Sequence, residues 1–468
     1  MESLYQQLAL EMKARIETGV YVAGQRLLGV RSVARMRGVS VATAVAAYQV
    51  LTDTGYIEAR SRSGFYVLTR HSIQAIEPKA IEKTAPPQLV TGQAMAMALI
   101  KAANDPSIVQ LGAAVPDSSF LPTHSIGRAL VQVIRTQRTQ SASYMMPPGA
   151  VELRRQIARR MGESGSTVSA DDIVITTGCQ EALSLALRAV TKPGDVVAVE
   201  SPAFYGLLHV MESLGLEALE IPAHPRNGIV LDTLAFALER WPVKACVFSP
   251  NFSNPLGYCM SDEAKHALIR LLEKHKIPLI EDDVYGDLGF NQRRPSTCKG
   301  LAPNADILYC SSFSKTLAPG LRIGWVAAEG ARRERIEYLK YVTSIASPTV
   351  PQLAVAELLA NGRYERYLRE VRGKYASAVA RMSDVVMQIF PSETRISQPQ
   401  GGFVLWVELP EGVDSFALAR RAIDQGVSVA PGPLFSAAGK FSNFIRLSSA
   451  RVWDARMESA LVTLARLI

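Results

Sequence analysis

Apolar and polar residues follow three different rhythms along this chain. Up to about residue 70 the rhythm is mostly helical. LYQQLALEMKARIETG reads as a first helix closed by Gly19. A second, around Arg31–Arg37, stops at Gly38, where glycine relieves the left-handed turn that ends many helices. Ser40 then suits the N-cap of a third helix running to about Thr54. On it Ala44, Ala47, Tyr48 and Leu51 recur at i, i+3, i+4 and i+7, one apolar stripe. YIEARSRSGFYVL follows as two short β-rich runs joined at a tip containing Ser63-Gly64. Residues 71–95 carry no period, and Pro86-Pro87 predict a semi-stiff linker. Beyond it, strand and helix patterns alternate: DIVITTG with CQEALSLALRAV, GDVVAVESP, ACVFSPN with EAKHALIRLLEKH, IPLIEDD, and ILYCSS. Such alternation predicts a mostly parallel sheet with helices on both faces. From about 346 the pattern is helix-rich, with a strand at GGFVLWVEL, and predicts a smaller second lobe.

Composition narrows the class. A chain of 468 residues is too long for one small core and implies two or three domains. Hydrophobic residues at 48% and charged residues at 20% are those of an ordinary globular protein. The acidic, amphipathic start is unlike a signal peptide, and no run approaches eighteen apolar residues, so a cytoplasmic protein is expected. The five cysteines are odd in number and scattered, without C-x-x-C or Cys/His spacing, which argues against disulfides and against a metal site. The formal charge is +8. Residues 1–70 hold nine Lys/Arg against five acids, so half of that excess sits in the first three helices and hairpin. An anionic partner for this end is expected.

Four segments of the alternating region carry candidate chemistry, each just past a predicted strand, where open α/β sheets place ligands. In Ser312-Phe-Ser314-Lys315, continued to Arg322, a lysine next to a buried strand can be desolvated and made nucleophilic toward an aldehyde. Ser312, Ser314 and Arg322 can together hold a phosphate. In Glu281-Asp282-Asp283-Val284-Tyr285 a carboxylate ends an apolar strand and needs a cation, such as a protonated ring nitrogen. Tyr285 can donate to a phenolic oxygen on the same ring, and so can Asn254 in the turn Asn254-Pro255-Leu-Gly257. Thr176-Thr177-Gly178-Cys179-Gln180 opens a helix whose first N–H groups suit a phosphate. The bland alternatives are a loop lysine, a strand-end helix cap, a simple turn and an ordinary helix start.

In their order and spacing these segments resemble the class I/II aminotransferases, the fold-type I enzymes of pyridoxal 5'-phosphate (PLP), over residues 96–468. The resemblance implies a large lobe of about 140–345 and a small lobe from 96–139 and 346–468. It makes Lys315 the lysine that bonds PLP as a Schiff base and is catalytic, and Asp282, Tyr285 and Asn254 the ligands of the ring. Ser312, Ser314, Arg322 and the backbone at Gly178, Cys179 and Gln180 become phosphate ligands. Phe204 takes the place of the stacking ring, with Tyr205 as the alternative one residue on. Tyr144 resembles the tyrosine that reaches a partner subunit's phosphate, which implies a homodimer with shared sites. Arg446, in FIRLS, resembles the arginine that grips a substrate carboxylate; the alternative is a surface arginine beside a strand.

Helix, helix, helix and hairpin over 1–70 describe a winged helix-turn-helix. LYQQL, GxRLxxxRSVA, VSxxTxxxAYxxLxxxGYIE and the SRSGFYV wing resemble the GntR family of bacterial regulators. That implies double-stranded DNA as partner, with Arg31, Arg35, Ser40, Thr43, Arg60 and Arg62 as contacts. Leu28-Gly29 stands where the family usually has Pro-Ser, and Val41 where it usually has arginine. The small apolar start of the third helix suits thymine methyls better than guanine. The whole chain resembles the MocR subgroup of GntR regulators. What it implies is a PLP-dependent transcription regulator that senses an amino compound, or PLP, through a Schiff base at Lys315, with residual transaminase chemistry open. The competing readings are an active homodimeric amino-acid aminotransferase with an accessory N-terminal domain, and a DNA-binding protein whose large domain only dimerises.

Overall fold

The computed structural model describes residues 4–17, 20–22, 24–53, 56–60, 63–68, 76–80, 84–90, 105, 107–291 and 294–468. Arg62 and the ends of the first and third predicted helices lie outside the described residues.

The N-terminal unit forms as its pattern predicts: α1 (Leu4–Glu17), α2 (Val30–Arg37), α3 (Val41–Asp53), and the hairpin β1 (Ile57–Arg60) with β2 (Gly64–Val67). Gly38 closes α2 in the left-handed region at φ 66°, and its N–H bonds back to Ala34 and Arg35 carbonyls. Ser40 Oγ accepts the N–H of Thr43 at 3.0 Å, which caps α3. The stripe Ala44, Ala47, Tyr48 and Leu51 is at most 1% exposed and packs against Leu8, Met12 and Val33. The wing pairs Ile57 with Val67 in antiparallel register, and Arg26 adds an isolated bridge to Tyr66.

The large sheet has nine strands. They are β3 (Gln88–Leu89), β5 (Ile173–Thr176), β6 (Val196–Ser201), β7 (Glu217–His224), β8 (Gly228–Ile229), β9 (Val243–Phe248), β10 (Leu279–Asp282), β11 (Ile307–Ser312) and β12 (Gly324–Ala327). The remaining early pair, β4 (Val109–Gln110), joins β15 (Val427–Ser428) in parallel. The order is β3-β7-β6-β9-β10-β11-β12-β5, with β8 beside β7. From β7 to β11 all neighbours are parallel; β6 is buried throughout as a Val-rich run, and β9 and β10 are buried apart from the exposed Lys244 and the half-buried Asp282. The sheet is mixed, because β12 runs antiparallel between β11 and β5. Only residues 313–323 join β11 to β12, too few for a helical crossover. Within the 71–95 segment, Gln88–Leu89 extends the sheet as an edge strand on β7.

The second lobe holds more strand than its helical pattern suggests. β13 (Arg395–Ile396), β14 (Val404–Glu408), β16 (Ala430–Pro431) and β17 (Phe444–Ser448) form an antiparallel sheet in the order β13-β14-β17-β16. β13 and β16 are two residues each, too short to leave a period of two in the sequence. Among the described residues no helix is long and apolar enough to cross a membrane.

Candidate functional site

β5, β9, β10 and β11 all point their carboxyl ends toward one side of the sheet, and a cavity of ≈ 360 Å³ opens there. Its lining brings together Cys179, Gln180, Phe204, Tyr205, Asn254, Asp282, Tyr285, Ser312, Ser314, Lys315 and Arg322. These residues are spread over more than 140 positions of sequence, from 179 to 322.

The alternation of β10 sorts three consecutive acids. Glu281 turns away from the cavity and accepts the N–H groups of Cys298 at 2.8 Å and Lys299 at 3.0 Å. Asp283 pairs with Arg294 at 2.5 Å and accepts the Tyr309 hydroxyl at 2.7 Å. Asp282 faces the cavity with only the Val284 N–H at 3.3 Å and the Cys179 thiol at 3.7 Å. Among the described residues it has no ion pair. Burial pushes its carboxyl up to about 6, opposed by the Val284 hydrogen bond. The strand pattern thus leaves one carboxylate uncompensated in the cavity, and a cation in front of it would relieve that cost.

Lys315 follows β11 and donates from Nζ to the Ala114 carbonyl at 2.7 Å. Burial, then the Arg446 charge, bring its ammonium down to about 8, against the pull of Asp282. That carbonyl belongs to the run Ala113–Val115, which lines the cavity yet carries no chemical signal in the sequence, because a backbone acceptor can sit on any residue.

The phosphate end is built around Gly178, the N-cap of α4 (Cys179–Val190), which has no side-chain cap. Gly178 has φ +84°, and a Cβ there would lie 2.6 Å from Arg322 Nη2. The backbone conformation is one that glycine adopts freely, and a side chain there would push Arg322 away from the helix start. Arg322 Nη2 donates to the Thr177 carbonyl at 2.7 Å, which holds the guanidinium over the helix start. Ser312 Oγ accepts the Ser314 N–H at 3.3 Å. Gln180 commits its side chain to the Gly206 carbonyl at 2.6 Å.

At the other end the Tyr285 hydroxyl is buried beside Asn254 but makes no well-aligned hydrogen bond among the described residues. Arg446 is fully buried in β17, which excludes the surface-arginine alternative. Nη1 donates to Asn254 Oδ1 at 3.0 Å and Nη2 to the Gly112 carbonyl, while Nε has no partner among the described residues. The rings of Tyr205 and Phe435 stand 5.4 and 5.0 Å from its guanidinium. The neighbouring Phe204 ring lies over Gly206, where a Cβ would come within 2.5 Å of it. Tyr144 is not brought into the cavity: it is 77% exposed, in a separate groove with Met145 and residues 346–351.

PLP matches the three groups left short of partners. Asp282 would face its ring nitrogen, Tyr285 its phenolic oxygen, and the uncapped start of α4 with Arg322 its phosphate.

On the winged unit Arg31 and Arg35 are exposed on α2, and neither makes an ion pair among the described residues. Thr43 Oγ1 is tied to Ser40 Oγ at 2.8 Å. Arg60 already has partners, since Nε donates to Glu58 at 2.6 Å and the guanidinium lies 4.4 Å from the Tyr66 ring. Arg62 lies outside the described residues. A cation that the sequence did not assign to DNA, Arg26, is exposed with its Nε 3.3 Å from where a Cβ of Gly64 would sit. The GxRL motif contains it, but only the bridge to Tyr66 brings residue 26 to the wing.

A winged helix-turn-helix followed by a two-lobed, fold-type I transferase domain is the class that this architecture and cavity define. Residues 106–464 match the family described as aminotransferase class I and II, and residues 4–67 match the gntR family of bacterial regulatory proteins. The chain belongs to the class I and II aminotransferase family and carries a gntR-family domain ahead of it, the MocR architecture. It is 40% identical over 466 residues to the uncharacterized HTH-type transcriptional regulator YdcR of Escherichia coli, covering 99% of this chain and 98% of the relative. It is likewise 40% identical to the uncharacterized regulator YjiR of the same organism, over 95% of this chain and 94% of that one. The α-aminoadipate aminotransferase LysN of Thermus thermophilus, solved with N-(5'-phosphopyridoxyl)-L-leucine, superposes with a TM-score of 0.75 at 28% identity. The match covers 81% of this chain and 95% of that one.

Proposed function

We propose that this protein is a PLP-dependent, DNA-binding transcription regulator whose cavity senses an amino compound, or PLP itself, and whose winged domains read DNA in the cytoplasm. One observation carries the proposal: a desolvated lysine and an uncompensated aspartate share a cavity in a chain that begins with a GntR domain. The units are 1–70 for DNA, 71–95 as connector and 96–468 for the cofactor.

PLP, when bound through Lys315, supplies an electron-withdrawing ring to which an amine can be joined. Lys315 binds it covalently and Asp282 keeps the ring nitrogen protonated. Asn254 and Tyr285 orient the phenolic oxygen, and Phe204 covers the ring. The N–H groups at Cys179 and Gln180, with Ser312, Ser314 and Arg322, hold the phosphate. Arg446 holds an α-carboxylate through Nε and the nitrogens it now lends to Asn254 and Gly112. Tyr144, exposed on its own chain, reaches the phosphate of a partner in a homodimer. Arg31, Arg35, Ser40, Thr43, Arg60 and Arg62 face DNA.

The complete set of Lys315, Asp282 and Arg446 also favours a second reading, an active aminotransferase with an accessory domain. Purified protein titrated with amino acids, with absorbance, keto-acid release and DNA anisotropy followed together, tests both. Salt-sensitive DNA binding that responds to PLP or an amino acid is the expected result. Rapid keto-acid release without DNA binding would establish the enzyme instead.

A further inference from the structure

The far wall of the cavity and the connector to the DNA-binding unit meet in one short segment, Ile396–Gly402. On its inner side, Gly401 and Gly402 press against two residues that line the cavity. A Cβ on Gly401 would lie 2.6 Å from Phe252 Cδ1, and one on Gly402 would lie 3.2 Å from Tyr285 Cδ1. The segment is also stitched to the large lobe by backbone bonds. Gln400 N–H donates to the Gly257 carbonyl at 2.9 Å, and Gly402 N–H to the Leu288 carbonyl at 3.0 Å. Gly257 closes the Asn254-Pro255 turn, and a Cβ there would be 2.6 Å from Pro399. Movement of Asn254, Tyr285 or Phe252 therefore has no slack to absorb it before Pro399–Gly402 shifts.

On its outer side the same segment carries the connector. Ile396 N–H donates to the Ile76 carbonyl at 2.9 Å, and the Lys79 N–H donates to Glu408 Oε2 at 2.9 Å on the neighbouring strand. Arg226, from the turn after β7 in the large lobe, ties the two sides together. It pairs with Glu77 of the connector and donates to Gln398 Oε1 at 3.3 Å, and its carbonyl accepts from Gln400 Nε2 at 3.5 Å. Residues 76–79 thus span both lobes where a cavity wall reaches the outer surface.

We propose that Glu77 and Arg226 form a clasp through which the state of the cavity sets the position of the connector, and so of the winged domain. The inference rests on the function proposed above, and it names the regulating contact. A clasp of this kind transmits only if PLP favours one arrangement of Pro399–Gly402 over another.

Hydrogen exchange on the full-length protein, with and without PLP, tests it, because neither clasp residue lines the cavity. PLP is expected to slow exchange at 312–322, at 396–402 and at 76–80. Glu77→Lys, which sets two cations against each other, should abolish the response at 76–80 and leave that at 312–322 intact. Glu77→Lys with Arg226→Glu, which restores an opposite pair, should bring it back. In parallel, any PLP-dependent change in affinity for DNA from upstream of the gene should shrink about two- to fivefold in Glu77→Lys, the size of one exposed ion pair. Protection at 312–322 without a response at 76–80 in the wild type would overturn the clasp and leave the proposed function standing. A Glu77→Lys response equal to wild type would also overturn it. No protection at 312–322 would remove the proposed function, and the clasp with it.

Discussion

Lys315 is placed where its charge is costly, partly buried between a backbone carbonyl and the field of Arg446. With its pKa near 8 instead of 10.5, about a tenth of it is neutral at pH 7, against well under a thousandth for an unperturbed lysine. Because the neutral amine is the nucleophile, its fraction grows as pH rises through the folded value. The rate of forming a borohydride-reducible link to PLP should therefore rise about tenfold from pH 7 to pH 9 and then level off. A rate still climbing at pH 10 would show an ordinary, solvated lysine. Peptide mapping should place the pyridoxyl group on Lys315, and Lys315→Ala should abolish it. Asp282 makes the complementary prediction. Asp282→Ala should keep the covalent link but weaken retention of PLP by about 1.5–3 kcal/mol, the worth of a hydrogen bond to a charged group. Dialysis at fixed pH with absorbance readout would check this, and unchanged retention would make Asp282 a cap for Val284 only. For Arg446→Gln, α-amino acids should lose their advantage over matched amines in perturbing the spectrum, by a similar energy.

Among the elements, the winged unit shows how local departures from a family pattern are accommodated. Gly29, where serine is usual, is the N-cap of α2 at φ −63° and ψ 151° and supplies no side-chain oxygen. Nothing lies within 4 Å of a Cβ built there, so serine would fit. Gly29→Ser should stabilise the domain by a few tenths of a kcal/mol, seen as a small rise in its unfolding midpoint. The carbonyl of neighbouring Leu28 is held by the buried Tyr48 hydroxyl at 2.5 Å, and Tyr48→Phe should cost about 1 kcal/mol. At the wing, Arg60 is engaged with Glu58 and Tyr66, whereas Arg26 stands beside Gly64 with no ion pair among the described residues. Arg26→Ala should therefore lower the salt dependence of DNA binding by about one charge and weaken all sequences evenly, and more than Arg60→Ala does. Thr43 variants should instead change sequence preference.

At the scale of the whole molecule, a homodimer would present two winged units and two cavities. If about six to eight phosphates are neutralised, log affinity should fall against log salt with a slope of roughly −5 to −7. Anisotropy across a salt series, on protein whose mass has been measured in solution, would check both stoichiometry and slope. A slope near −3 would mean that only one winged unit engages DNA at a time. DNA binding that survives Lys315→Ala but ignores PLP and amino acids would separate sensing from recognition.

Much of this was legible in the chain itself. The apolar stripe of α3, the glycine that ends α2 and the strands carrying Asp282 and Lys315 are local patterns, set by side-chain period and backbone freedom, so they could be read directly. The order of the segments that line the cavity was likewise enough to propose the cofactor. Other features depend on contacts between distant residues. The apolar strand pattern alone did not separate Glu281, Asp282 and Asp283; the family resemblance named Asp282, and the register of β10 between β9 and β11 is what turns it, and not its neighbours, toward the cavity. Arg446 became a buried group only when β17 paired with β14 and β16. β12 was antiparallel because the return from β11 is short, and β13 and β16 were too brief to show a period. The Ala114 carbonyl at Lys315, Arg26 at the wing and Glu77 on Arg226 are brought together across 201, 38 and 149 positions, and no local rhythm records a contact of that reach.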